Sequence, residues 1–205
     1  MKSGAVMIQQ IIKEIEEALS HNLYMAALNL ALTLPDICGK AEYPELRTSQ
    51  RYKKWYDEVV GVTEKPPRFE GEPEMPYLSG DVVYSLRCSL LHEGNPDLQK
   101  KNVQPVPIDR FSLVIQSEQP FRIYGGESSH VMTNFDGTVV RTYQVNVRRL
   151  CMILCLCAKG YYEENKEKFD FYTYELIDWD EVTEHLPKID MEQVFKELAK
   201  PLDNE

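Results

Sequence analysis

The stretch HVMTNFDGTVVRTYQVNVRRLCMILCLCA, residues 130–158, changes its periodicity halfway along. Its first part reads as two short strands, 130–135 and 138–143, flanking Asp136-Gly137. That dipeptide suits a two-residue hairpin, because the mirror-image turn needs residues that tolerate positive φ. From about Val145 the pattern becomes helical, and the apolar run Leu150–Ala158 carries it toward Lys168. A hairpin fused to a buried helix implies a sheet set into a helical protein.

Working outward, Phe111, Leu113 and Ile115 alternate with smaller or polar residues, and Phe121 and Ile123 follow Gln119-Pro120. The first hundred residues are helical in period. Ile8, Ile11, Ile12, Ile15 and Leu19 form one stripe, and Leu23, Ala26, Ala27, Leu30, Ala31 and Leu34 a second, with Asn22 positioned to cap it. Pro35 marks a bent continuation or a new start. A third helix over about 47–60 puts Tyr52, Trp55, Tyr56 and Val59 on one side and Arg47, Arg51 and Lys54 largely on another. The Pro/Glu-rich stretch 63–76 reads as a loop. Ser79 then caps a helix in which Val82, Val83, Leu86 and Leu90 face a core. Aromatic residues over 169–179 suggest a packed, irregular segment, and a short helix is expected from Met191 to Leu198.

The expected fold is mainly α (α+β): an antiparallel helical bundle with a small antiparallel β-sheet inserted at about 110–143, before the last long helix. Residues 1–168 make this single domain, and 169–205 an acidic C-terminal extension packed on or beside it.

At 205 residues the chain can bury a substantial core, and its 43% hydrophobic and 27% charged content is that of a soluble globular protein. The net charge of −10 is unevenly placed. Residues 161–205 hold 14 acidic and 5 basic groups, a balance of −9, whereas 1–160 are near neutral, with 19 acidic and 18 basic. The acid therefore does not exclude a polyanionic ligand for the bundle. The tail reads as a solubilising face, or as a segment that covers a basic site or repels polyanions. No apolar run approaches a membrane span, Met1–Gln10 does not read as a signal peptide, and five cysteines form no regular framework. A cytoplasmic, membrane-free protein is expected.

Arg87-Cys88-Ser89-Leu90-Leu91-His92, followed by Glu93-Gly94-Asn95-Pro96, sets a fixed cation and a titratable imidazole at the end of an apolar helix. Such a pair can hold a phosphate and move a proton near neutral pH. On a regular α-helix five residues turn about 500°, so Arg87 and His92 would stand about 140° apart and about 7.5 Å along the axis. Either the helix loosens at Leu91 beside Gly94, or a second copy completes the cleft. A purely structural reading stands beside the chemical one: His92 facing the helix dipole and Arg87 paired with Asp36 or Asp81.

A helical bundle with Arg-x4-His at the end of one helix resembles the HEPN superfamily, over about 5–95 and the 145–168 helix. The resemblance implies a metal-independent endoribonuclease of toxin or phage-defence type acting on single-stranded RNA, with Arg87 and His92 catalytic, no cofactor, and a site at a homodimer interface. Cys88 stands where the family often carries a polar residue. That departure points to the alternative, a non-catalytic dimeric module that binds RNA or a protein partner.

Other motifs read as structure. Cys151 and Cys155 share a helical face, but Cys157 lies some 200° from Cys155 and no histidine or CxxC is near, so core packing outweighs a metal site. Gly125-Gly126 reads as a loop, and His130 with Ser128 or Ser129 lacks a third member for a triad. Arg141, Arg148 and Arg149 with Lys100 and Lys101 make either a basic patch or a solvated surface.

Overall fold

The computed structural model describes residues 3–63, 78–97, 108–115, 130–133, 136–172, 177–179, 181, 184 and 191–198. It is mainly helical. Among the described residues, helices α1 (Ser3–Ser20), α2 (Tyr24–Ala31), α3 (Leu34–Glu42), α4 (Thr48–Trp55) and α5 (Gly80–Cys88) precede the strands. Strands β1 (Arg110–Val114), β2 (His130–Thr133) and β3 (Val139–Asn146) lead into α6 (Val147–Glu164). A final helix, α7, spans Met191–Leu198.

Most of the apolar stripes become the core, but the second is corrected: Leu23 and Ala26 are exposed, and Leu28 is buried beside Ala27 and Ala31. Ile8, Ile11, Ile12, Ile15 and Leu19 of α1 are buried, as are Tyr52 and Trp55 of α4, Val82, Val83 and Leu86 of α5, and Leu150, Leu154 and Ala158 of α6. Cys151 and Cys155 are buried with them. Helices α1 and α6 run antiparallel, since Gln9 reaches Glu163 while the Glu16 charge acts on Cys155. Helices α4 and α5 do likewise: Lys53 meets Asp81, and Tyr52 meets Tyr84 and the Arg87 guanidinium.

Pro35 lies in the first turn of α3, so it begins a new helix where its missing N–H is not needed. Asn22 does not cap α2. It takes a left-handed φ of 59° at the end of α1, and its Oδ1 accepts hydrogen bonds from Tyr24 Oη at 2.6 Å and Arg148 Nη2 at 2.9 Å. Its side chain is thus committed to joining α2 and α6. Ser79 caps α5, accepting from the Val82 amide at 3.4 Å, and Asn146 caps α6, accepting from Arg149 N at 3.3 Å.

The strands form one mixed sheet in the order β1-β3-β2. An antiparallel β2–β3 hairpin is present, from His130↔Thr142 to Thr133↔Val139, but the two-residue turn is corrected. Five residues, 134–138, join the paired ends, only Gly137 of Asp136-Gly137 has a positive φ (81°), and Asp136 Oδ1 accepts from the Thr138 amide at 2.9 Å. The expectation of an antiparallel sheet throughout is corrected by β1. It pairs parallel to β3, from Arg110↔Thr142 to Val114↔Asn146. Alternation of side chains reports which residues share a face but not which way a strand runs, and β3 returns to β1 only after the intervening β2.

Residues 1–173 form one compact unit and 174–205 a second. Within the second, α7 exposes Met191 and Phe195 and carries a Glu192–Lys196 ion pair at 3.3 Å. Among the described residues no helix is long and apolar enough to cross a membrane.

Candidate functional site

Arg87 closes the last turn of α5, and the chain then widens into a π-helical turn over Ser89–Glu93. The Gly94 amide donates to the Ser89 carbonyl at 2.8 Å, an i→i+5 bond. Gly94 ends the turn at a left-handed φ of 61°, where a residue without a Cβ carries no strain. The turn is tied down beyond its end. Ser89 Oγ donates to the Asn95 carbonyl, the Phe111 amide donates to the Pro96 carbonyl at 3.0 Å, and Asp97 bridges to Arg110. Gly94-Asn95-Pro96 therefore hangs the end of the helix on the edge of β1.

The widening falls at Leu91, where the Arg-x4-His spacing asked for a loosened helix or a second copy, and among the described residues Arg87 and His92 are joined by no hydrogen bond or ring contact. An i→i+5 bond closes a turn over five residues instead of four, so residues five apart approach the same side of the helix. His92 is exposed on this turn. Arg87 lies deeper, with its side chain 16% exposed. Its guanidinium carbon stands 5.8 Å from the Tyr52 ring centroid and 5.9 Å from that of Tyr84, distances at which the ring faces attract a cation.

The carboxylate facing Arg87 is Asp36 of α3, with Oδ2 at 3.7 Å from Nη2. Asp81 is engaged elsewhere, at 2.6 Å from Lys53 Nζ. Asp36 is also held by Arg51, whose Nε and Nη2 donate to Oδ1 at 3.1 and 2.9 Å. Periodicity had set Arg51 on a face away from the aromatic residues, yet its side chain is only 17% exposed. The Asp36–Arg51 link joins residues on different helices, and no local spacing announces it. Cys88 is half-buried beside Tyr84, whose phenol is pushed above its ordinary value by burial and then by the Cys88 charge and hydrogen bond.

The remaining sequence candidates do not gather here. Arg148 stacks on Tyr24 and donates to its hydroxyl at 2.7 Å, and Arg141 lies 3.7 Å from Asp109. Lys100, Lys101, Gly125, Gly126, Ser128 and Ser129 fall outside the described residues, as does the side chain of His130. Among the described residues no three His, Cys, Asp or Glu side chains are grouped to hold a metal. No family model, curated protein or solved structure matches the chain.

Proposed function

We propose that this is a HEPN-like, metal-independent endoribonuclease acting on single-stranded RNA. The observation that supports the reading is the π turn Ser89–Glu93, which lies between Arg87 and His92 and reduces the offset that a regular α-helix would impose on them. A 2′-hydroxyl attacks the adjacent phosphorus, the P–O5′ bond breaks, and the products are a 2′,3′-cyclic phosphate and a 5′-hydroxyl. The proton leaves O2′ and another reaches O5′. An exposed imidazole can serve that transfer, and a guanidinium can stabilise the charge developing on the phosphoryl oxygens. A homodimer would supply the facing wall of the cleft. None of the five cysteines is in a disulfide, in keeping with a reducing cytoplasm, where RNA cleavage would arrest growth or counter phage.

The pairing of Arg87 with Asp36, and Cys88 beside Arg87, favour a second reading: a non-catalytic dimeric module that binds RNA or protein. Cleavage of single-stranded RNA in excess EDTA separates the two. Wild type should cut and leave cyclic phosphate ends, and His92→Ala should lose activity on the order of 10²-fold or more. Absence of wild-type cleavage, or equal cleavage by His92→Ala, would rule out the enzyme.

A further inference from the structure

The Asp36, Arg51 and Arg87 cluster is unbalanced in charge and in hydrogen bonding. Arg51 is satisfied at Oδ1 of Asp36 through two donors. Arg87 is not. A guanidinium carries five N–H donors, yet among the described residues Arg87 makes no side-chain hydrogen bond. Its ion pair to Oδ2, at 3.7 Å, lies beyond hydrogen-bond range, and its Nε is buried without a partner. The Tyr52 hydroxyl beside it is also buried and unpartnered. Folding rarely leaves such donors unmet, and a guanidinium with donors to spare suits an acceptor-rich anion.

The charge count gives the anion's class. Two guanidinium groups face one carboxylate, which leaves one positive charge on the Asp36, Arg51 and Arg87 cluster itself. An internal phosphodiester carries one negative charge, whereas a terminal phosphate carries about 1.5 to 2 at neutral pH. We propose that Arg51 and Arg87 together receive an internal RNA phosphodiester, that Asp36 is the positioning residue holding the two forks, and that the site discriminates against terminal phosphates. This rests on the ribonuclease reading and deepens it, adding Arg51 and Asp36 to the site and naming the linkage it prefers.

The test uses the full chain carrying His92→Ala, so that bound RNA stays intact, with a fluorescent single-stranded RNA bearing hydroxyl ends. At fixed salt, a dinucleoside monophosphate should compete for the site better than a nucleoside 5′-monophosphate. Adding Arg51→Lys keeps the charge but removes the fork, and should weaken RNA binding about tenfold while the protein stays folded. Adding Asp36→Asn raises the site's charge by one, and should narrow or reverse the preference between the two competitors. If the added Arg51→Lys leaves affinity unchanged, or the nucleoside monophosphate competes equally in the His92→Ala protein, the proposal fails. Should Asp36→Asn unfold the chain, Arg51→Lys still decides. If wild type cleaves RNA and only these variants are silent, this inference alone falls. If wild type neither binds nor cleaves RNA, the ribonuclease reading falls with it.

Discussion

Asp36 and Arg51 meet through a single carboxylate oxygen: Nε and Nη2 of Arg51 both donate to Oδ1, and Oδ2 is left facing Arg87. A side-on pair of this kind holds one arginine firmly while remaining open to a second. It also requires α3 and α4 to approach closely, which Gly39 allows.

Gly39→Ala should therefore destabilise the protein. A Cβ at Gly39 would lie 2.7 Å from the Arg51 carbonyl oxygen and 3.0 Å from its carbon, and backbone atoms cannot swing aside as a side chain can. Overpacking of this kind costs roughly 1–3 kcal/mol. Denaturant unfolding should show the midpoint falling, and a variant as stable as wild type would mean that the helices separate without loss.

Asp57→Asn and Asp57→Ala should behave differently. Asp57 Oδ1 accepts from the Gly80 amide at 2.7 Å at the start of α5, while burial raises its carboxyl above the ordinary value and the Gly80 amide only partly offsets this. A raised carboxyl is disfavoured as an anion in the folded state, so stability falls as pH rises from its unfolded value through its folded one. Asparagine keeps the acceptor without the charge, and should match or exceed wild-type Tm at neutral pH. Alanine, having lost the cap, should cost about 1 kcal/mol. Equal Tm losses in both would show that the charge, rather than the acceptor, is what α5 needs.

Much of this fold was legible because burial imposes a period. The stripes of α1, α5 and α6, the Ser79 cap and the 130–143 hairpin all follow from where apolar and turn residues recur. Other features have no local signature. The parallel β1–β3 pair depends on a crossover, the role of Asn22 on Arg148 far along the chain, and the partial burial of Arg51 on an aspartate from another helix. For the site, the Arg87–His92 spacing predicted that the helix must loosen or find a partner. The π turn is visible only once Gly94 and the anchoring of Asn95 and Pro96 on β1 are known.

Glu42 should give the acid limb of the stability profile part of its slope. It accepts hydrogen bonds from Lys168 and from the Tyr161 hydroxyl, and these hold its carboxyl below the ordinary 4.5. A lowered carboxyl stabilises the folded state fully above its unfolded value, and that contribution is lost as pH falls through the folded value. Glu42→Gln should be less stable than wild type at neutral pH, with the difference shrinking below about pH 4. A difference constant with pH would show that Glu42 acts through packing alone.

Cys151 and Cys155 should be inert in the native protein. Burial is the main cause that pushes each thiol up to about 12, leaving almost no thiolate at neutral pH. Alkylation followed by mass spectrometry should find both unmodified until the chain is unfolded. Rapid native labelling would show that α6 opens readily.

Arg87→Met separates the structural from the chemical role of Arg87. If the arginine serves mainly to hold the bundle, its loss leaves a broken buried pair, which typically costs about 3–5 kcal/mol. The geometry argues otherwise. Asp36 keeps both hydrogen bonds from Arg51 whether or not Arg87 is present, and Arg87 contributes only a 3.7 Å ion pair and ring contacts. Methionine has comparable reach, packs well against Tyr52 and Tyr84, and carries no charge or donor to desolvate. Arg87→Met should therefore hold or raise Tm while RNA cleavage falls on the order of 10²-fold or more, since no donor remains for the phosphoryl oxygens. A large drop in Tm would place Arg87 in the framework and favour the non-catalytic module. An unchanged Tm with undiminished cleavage would remove Arg87 from both roles.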